Sequence, residues 1–180
     1  NDRTDLPLAN SNLDLGGVQA EILIFEAPKL VKRGPARIIV VLFLEKVEFR
    51  PYHFEESGLV SPQIIEQWAR HLHSPVVINA GQFDDKLKHI GWLKRQEQFL
   101  SERLAPAWKA LMVSGPQGTQ IWDLEKIDPL KHKLYPHALQ SMMLIDELGK
   151  LRVRDTSLNA CRSVLAQDKL GRILLVLTEG

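Results

Sequence analysis

The stretch Pro75-Val76-Val77-Ile78-Asn79-Ala80-Gly81-Gln82-Phe83-Asp84 is the one around which the rest of the chain is read. Three β-branched apolar residues, Val76 to Ile78, predict a short buried strand. An amide, a small residue and a glycine follow at its end. Strand, then polar side chain, then permissive backbone is one way in which α/β and α+β proteins present a group to a pocket. The same residues also suit an ordinary strand exit in which Asn79 caps its own turn.

Upstream, Ser61-Pro62 predicts a helix start, with serine as N-cap and proline at the first helical position. Ile64, Ile65, Trp68, Ala69 and Leu72 follow at helical spacing. The helix should end near His73, because Pro75 disfavours helix in the residue before it. Further back, Arg37 to Phe49 is the most strand-like segment. Its run Ile38 to Leu44 is continuous, as in a strand buried on both faces. Val18 to Glu26 alternates as a strand does. Pro28 to Pro35 is a basic turn region, and residues 1–17 are polar and read as a loosely held arm.

Downstream, Arg95 to Leu104 is read as a short helix. Ala110 to Ser114 and Thr119 to Asp123 predict a hairpin around Gly115-Pro116-Gln117-Gly118. Ile127 to Pro136 is irregular, with two prolines. Ala138 to Ile145 predicts a strand turned by Glu147-Leu148-Gly149. Ala160 to Ala166 and Arg172 to Thr178 are two more, joined at Asp168-Lys169-Leu170-Gly171. The fold class expected is α+β, a mostly antiparallel or mixed sheet with one or two packed helices. Residues 18–180 form a single domain in this reading. Its last strand runs to the final residue, so a second fragment or subunit is expected to complete the fold.

A length of 180 residues suits one domain with a real core, and 44% hydrophobic with 25% charged residues marks it as globular. The net charge of +1, from 23 basic and 22 acidic residues, argues against a nucleic-acid protein relying on bulk charge. Lys29, Lys32, Arg33 and Arg37 read as a solvated basic loop. Cys161 is the only cysteine, which excludes an intrachain disulfide and fits an inert buried thiol. The longest apolar run is far too short to span a bilayer. The chain begins at Asn1, which suits either a removed leader or a trimmed sequence.

His71, His73 and His89 do not have the spacing of a helical metal site, and no carboxylate supplies the missing ligands. A nucleophile elbow, a glycine-rich phosphate loop and a His-Glu-x-x-His motif are all missing from the sequence. Asp84-Asp85, Asp123 and Asp128 could pair as carboxylates, although their commoner place is in turns. Arg162 lies in an expected interior strand. A buried guanidinium needs an internal acid or an anionic ligand, and its fork fits phosphate. Gln140, at its strand's start, leaves the same two options open. Glu179 puts a carboxylate at a strand end.

Taken in this order, the pieces resemble the phosphodiester glycosidase family. Its Asn-Gly-Gly-Tyr/Phe-Phe block is similar to Asn79-Ala80-Gly81-Gln82-Phe83, and the glycine after it to Gly91 in Ile90-Gly91-Trp92-Leu93. Its Gln-Ser-Gly-Pro-x-Leu block resembles Gln140-Ser141-Met142-Met143-Leu144-Ile145. Its Arg-Ser/Thr-Ala-Ile-Gly-x-Asp-x-x-Gly block resembles Arg162 to Gly171, and the strand after it ends in Glu179-Gly180. The resemblance covers roughly residues 36 to 180. Gln82 replaces an aromatic, Met142-Met143 replace Gly-Pro and Ala166 replaces a glycine. The family's later Leu-Asp-Gly-Gly-Gly-Ser-Ser block, which supplies an acid, is absent from the sequence.

The resemblance implies hydrolysis of a sugar-1-phosphodiester, freeing the sugar from the phosphate of a glycan or glycoconjugate. Arg162 would hold the phosphate, Asn79 would bind the sugar or orient water, and Glu179 would act as a carboxylate. Gly81, Phe83 and Gln140 would help bind substrate. No cofactor is implied, and a divalent cation is left open. The expected partner is a carbohydrate phosphodiester, with no nucleic acid and no membrane span, in an extracytoplasmic setting. The alternative is a non-catalytic glycan-binding or scaffold domain with a degenerate site.

Overall fold

A computed structural model describes residues 7–26, 37–154 and 162–178. In chain order the strands are β1 (Ala9–Asp14), β2 (Gln19–Glu26), β3 (Arg37–Phe43), β4 (Leu93–Arg95), β5 (Gln98–Ser101), β6 (Ala110–Gly115), β7 (Gly118–Asp123), β8 (His137–Ser141), β9 (Arg162–Gln167) and β10 (Ile173–Thr178). They form two five-stranded antiparallel sheets, accompanied among the described residues by one α-helix and one 3-10 helix. The protein is thus mostly sheet, with less helix than an α+β reading expects. The chain also divides into two compact units where the sequence suggests one.

The first unit, Asn1–Val47 with Thr156–Gly180, holds the sheet ordered β1-β2-β3-β10-β9. Residues 9–14 are a strand and not part of a loose arm. Gly16 and Gly17, at φ +68° and +96°, turn β1 into β2, and the Leu15 N–H donates to the Val18 carbonyl at 2.9 Å. Such angles strain any residue with a side chain. β3 lies between β2 and β10, as its apolar run implies, but stops at Phe43, short of Phe49. Leu42 and Phe43 are buried, as are Ala20, Ile173 and Leu175.

The second unit, Glu48–Asp155, holds the sheet ordered β5-β4-β8-β6-β7. The β6–β7 hairpin closes at the expected turn, with Gly115 paired to Gly118. Its core is Leu111, Val113, Trp122 and Ala138, with Trp92, Leu124, Ile127 and Tyr135 packed against it. β8 ends at Ser141, four residues before the sequence suggests.

Three expectations fail for identifiable reasons. The segment after Arg95 is not a helix but the β4–β5 hairpin, turned by Gln96 and Glu97 at φ +49° and +67°. The Glu97 carboxylate accepts from the ammonium of Lys94 at 2.9 Å, and Lys94, 2% exposed, also donates to the Tyr135 carbonyl at 2.8 Å. The helix α1 spans Ile65–Leu72 and starts later than Ser61, because the Gln67 side chain accepts from the Ile64 N–H at 3.1 Å. It ends at His73, as expected, in the left-handed conformation. Residues 75–80 have the apolar pattern of a strand but join no ladder. Pattern alone does not supply a hydrogen-bonding neighbour.

Candidate functional site

Val76 to Ile78 are partly buried and lead to an exposed Asn79. Gly81 follows at φ +75° and lies flat on the ring of His89, where a Cβ would overlap the imidazole. Phe83 and His89 then face each other as one antiparallel bridge. The Ile90 N–H donates to the Gln82 carbonyl, and the Asp84 N–H to the Lys88 carbonyl, both at 2.9 Å. The carboxylate of Asp84 closes the turn by accepting from the N–H groups of Lys86 and Lys88, each at 2.9 Å. His53 fastens the turn from outside, its Nε2–H donating to the Leu87 carbonyl at 3.1 Å.

His89 is 9% exposed, and neither ring nitrogen has a hydrogen-bond partner among the described residues. Phe83 meets it edge-on at 5.8 Å between centroids, and His53 lies 5.9 Å from Phe83. Burial pushes the His89 pKa down to about 4, so the imidazole is neutral at physiological pH. Phe83 keeps 49% of its surface in solvent. The loop therefore offers an exposed amide and an aromatic face over a buried neutral ring. An aromatic face suits the apolar side of a sugar, and an amide suits its hydroxyls.

Gln140 is fully buried on β8. Its Oε1 accepts from the N–H groups of Trp92 at 3.2 Å and Ala105 at 2.9 Å. Its Nε2 donates to the carbonyls of Ala105 and Trp108, each at 2.8 Å. All four positions of the amide are taken, so Gln140 holds the 105–108 loop and has nothing left for a ligand. Gly91 covers it so closely that a Cβ would lie 2.9 Å from Oε1. Gln82 Nε2 sits 3.9 Å from Met142 Sδ.

Arg162 opens β9, an edge strand of the first unit, and is exposed; its backbone N–H donates to Thr178 Oγ1 at 2.9 Å. The burial argument made for it from an interior strand therefore does not hold. Glu179, Cys161, Lys29, Lys32 and Arg33 lie outside the described residues. Asp123 and Asp128 accept from the N–H groups of Glu125 and Leu130, each at 2.9 Å, which is turn chemistry. Among the described residues no three histidine, cysteine or carboxylate side chains gather as a metal site, and no helix is long and apolar enough to cross a membrane. His53 went unnoticed in the sequence, since nothing in its neighbourhood points across to Leu87. His89 stands in the sequence only as a possible ligand, and the glycine pressed onto it, Gly81, lies eight residues earlier, so no local pattern ties the two together.

No protein-family model, curated protein or solved structure matches the chain.

Proposed function

We propose that the chain is a hydrolase domain of phosphodiester-glycosidase type, acting on a sugar-1-phosphodiester at the Asn79–Phe83 loop. One observation carries the reading: three of the sequence blocks behind the resemblance pack against one another. Gln82 lies against Met142, and Gly91 is pressed onto Gln140. Gly81, from the same block as Gln82, is pressed onto His89. In this reading Asn79 binds a sugar hydroxyl or positions water, and Phe83 offers its face to the ring. Gln140 and His89 hold the loop in shape. An extracytoplasmic setting goes with that substrate.

A carbohydrate-phosphodiester binding domain without turnover is the second reading. It is favoured by Asp84, the first carboxylate after Asn79, whose carboxylate is committed to its own turn. Glycoside cleavage calls for an acid and a base.

The test is release of reducing sugar from a sugar-1-phosphodiester by the 180-residue chain, beside Asn79→Ala and Phe83→Ala. Turnover that falls about a hundredfold in Asn79→Ala supports the hydrolase. Saturable binding without turnover, weakened in Phe83→Ala, supports the binding domain. Neither turnover nor binding would remove both readings.

A further inference from the structure

A second place in the Glu48–Asp155 unit has the chemistry of a ligand site, and it does not rest on the reading of the Asn79 loop. A cavity of about 100 Å³ is lined by Arg50, Tyr52, Arg95, Gln96 and His137. Glu48 borders it. The Arg50 Nε–H donates to Glu48 Oε1 at 2.7 Å, and His137 Nε2 lies 3.3 Å from the same oxygen. The Gln96 backbone N–H donates to His137 Nδ1 at 3.4 Å. Nδ1 is therefore the acceptor of the ring, and Nε2 carries the proton.

The guanidinium of Arg95 lies over the Tyr52 ring at 5.0 Å from its centroid. It has no carboxylate partner among the described residues. Arg152 shows the contrast: it faces the carboxylates of Asp123, Glu125 and Asp146 together. The cavity thus brings two guanidiniums, one of them on the exposed Arg50, against one carboxylate and an imidazole whose Nδ1 is an acceptor, which leaves one positive charge uncompensated. Gln96 enters at a left-handed φ of +49°, an unusual backbone for a residue with a side chain.

We propose that this cavity binds the phosphate group of a phosphate ester. The two guanidiniums, from different parts of the chain, can each donate to a different one of the two unesterified oxygens of a phosphodiester, Arg50 through the N–H groups that Glu48 leaves free. Tyr52 and Gln96 supply further donors at the rim. The cavity has room for one such group, so the alcohol portion stays outside. One uncompensated positive charge matches the single negative charge of a diester.

The experiment is an NMR titration of the full chain with dimethyl phosphate and, separately, inorganic phosphate, with sodium acetate and sodium chloride as controls. Saturable shifts of the Gln96 amide and of the Arg50 and Arg95 Nε–H signals with dimethyl phosphate are expected. Arg95→Gln should weaken that binding about tenfold or more. Arg172→Gln, which removes a cation elsewhere, should leave it unchanged. Saturation by inorganic phosphate but not by dimethyl phosphate overturns the ester assignment. Shifts equal to those in sodium chloride overturn the site, as does unchanged affinity in Arg95→Gln. The wild-type shift map decides the matter even if a variant fails to fold.

Discussion

Gly81 combines two demands that separate at other glycines. It sits at φ +75°, and a Cβ there would run into the His89 ring; Gly58 sits at φ +73° with nothing within 4 Å of a Cβ. Left-handed backbone costs an ordinary residue about 1–2 kcal/mol, and forcing atoms into a packed site typically costs a further 1–3. Gly58→Ala is therefore expected to lower stability by about 1 kcal/mol and Gly81→Ala by about 3. Urea unfolding measures both. Equal losses would mean that His89 moves aside freely and that the loop is not shaped by it. The sequence showed that the backbone had to be permissive at Gly81, because the residue is a glycine. It did not show which ring lay above. The same limit applies to Gln140: its burial could be suspected from the apolar run around it, but the carbonyls that consume its amide belong to Ala105 and Trp108, far away in the chain.

Three of the turns between elements are copies of one design. Asp84, Asp146 and Asp168 each accept, through Oδ1, from the N–H groups two and four residues on. In each turn the aspartate N–H donates to the carbonyl four residues later, and its carbonyl accepts from the N–H three residues later. That third position is left-handed in all three. Two copies place glycine there, Gly149 at φ +78° and Gly171 at φ +83°, whereas the first places Leu87 at φ +61°. Leu87→Gly is expected to stabilise the protein by about 1 kcal/mol, the strain outweighing glycine's extra freedom when unfolded. Gly149→Ala should destabilise it by a similar amount. Thermal melts of the two variants give the signs, and a loss in Leu87→Gly would show that the leucine side chain contributes more than its backbone costs. These turns also explain what was legible. The turns at 147–149 and 168–171 carry glycine at the left-handed position, and the sequence displays them. The turn at Gln96-Glu97 has no glycine or asparagine, and its segment was read as a helix. Its glutamate is there because Lys94 is buried and needs a carboxylate within reach, a demand that no local pattern displays.

At the scale of the whole chain, the β6–β7 and β9–β10 hairpins were legible, because short turns leave few other ways to connect their strands, whereas the pairing of β8 with β4 and β6 was not. The division into two units was not legible either, since one of them is built from the two ends of the chain, which no local pattern brings together. One property does distinguish them. All six histidines of the sequence lie between residues 48 and 155, in the second unit. Burial pushes His89 down to about 4, and it lowers His137 as well, against the pull of Glu48. A histidine with a depressed pKa favours folding fully above its unfolded value of about 6.5, because protons then bind neither state. As pH falls below that value the unfolded chain takes up the proton first, and stability declines until the folded pKa is passed. For His89 the loss is on the order of 2–3 kcal/mol. The carboxylates whose pKa values are lowered respond further down. Hydrogen bonds from the Lys150 and Leu148 backbone and from Arg152 hold Asp146 below the ordinary range. Asp168 is held there by hydrogen bonds from Arg172 and from the Leu170 backbone, against its own desolvation. Their contribution is present above about pH 4 and is lost below it. The interval between pH 6.5 and 4 therefore isolates the second unit. Native-state hydrogen exchange across that interval should show falling protection for the amides of β6, β7 and β8, with those of β3 and β10 unchanged. A fall in all five strands together would mean that the two units open as one, and His89→Phe, which removes the titrating ring, should then flatten the response in both sheets.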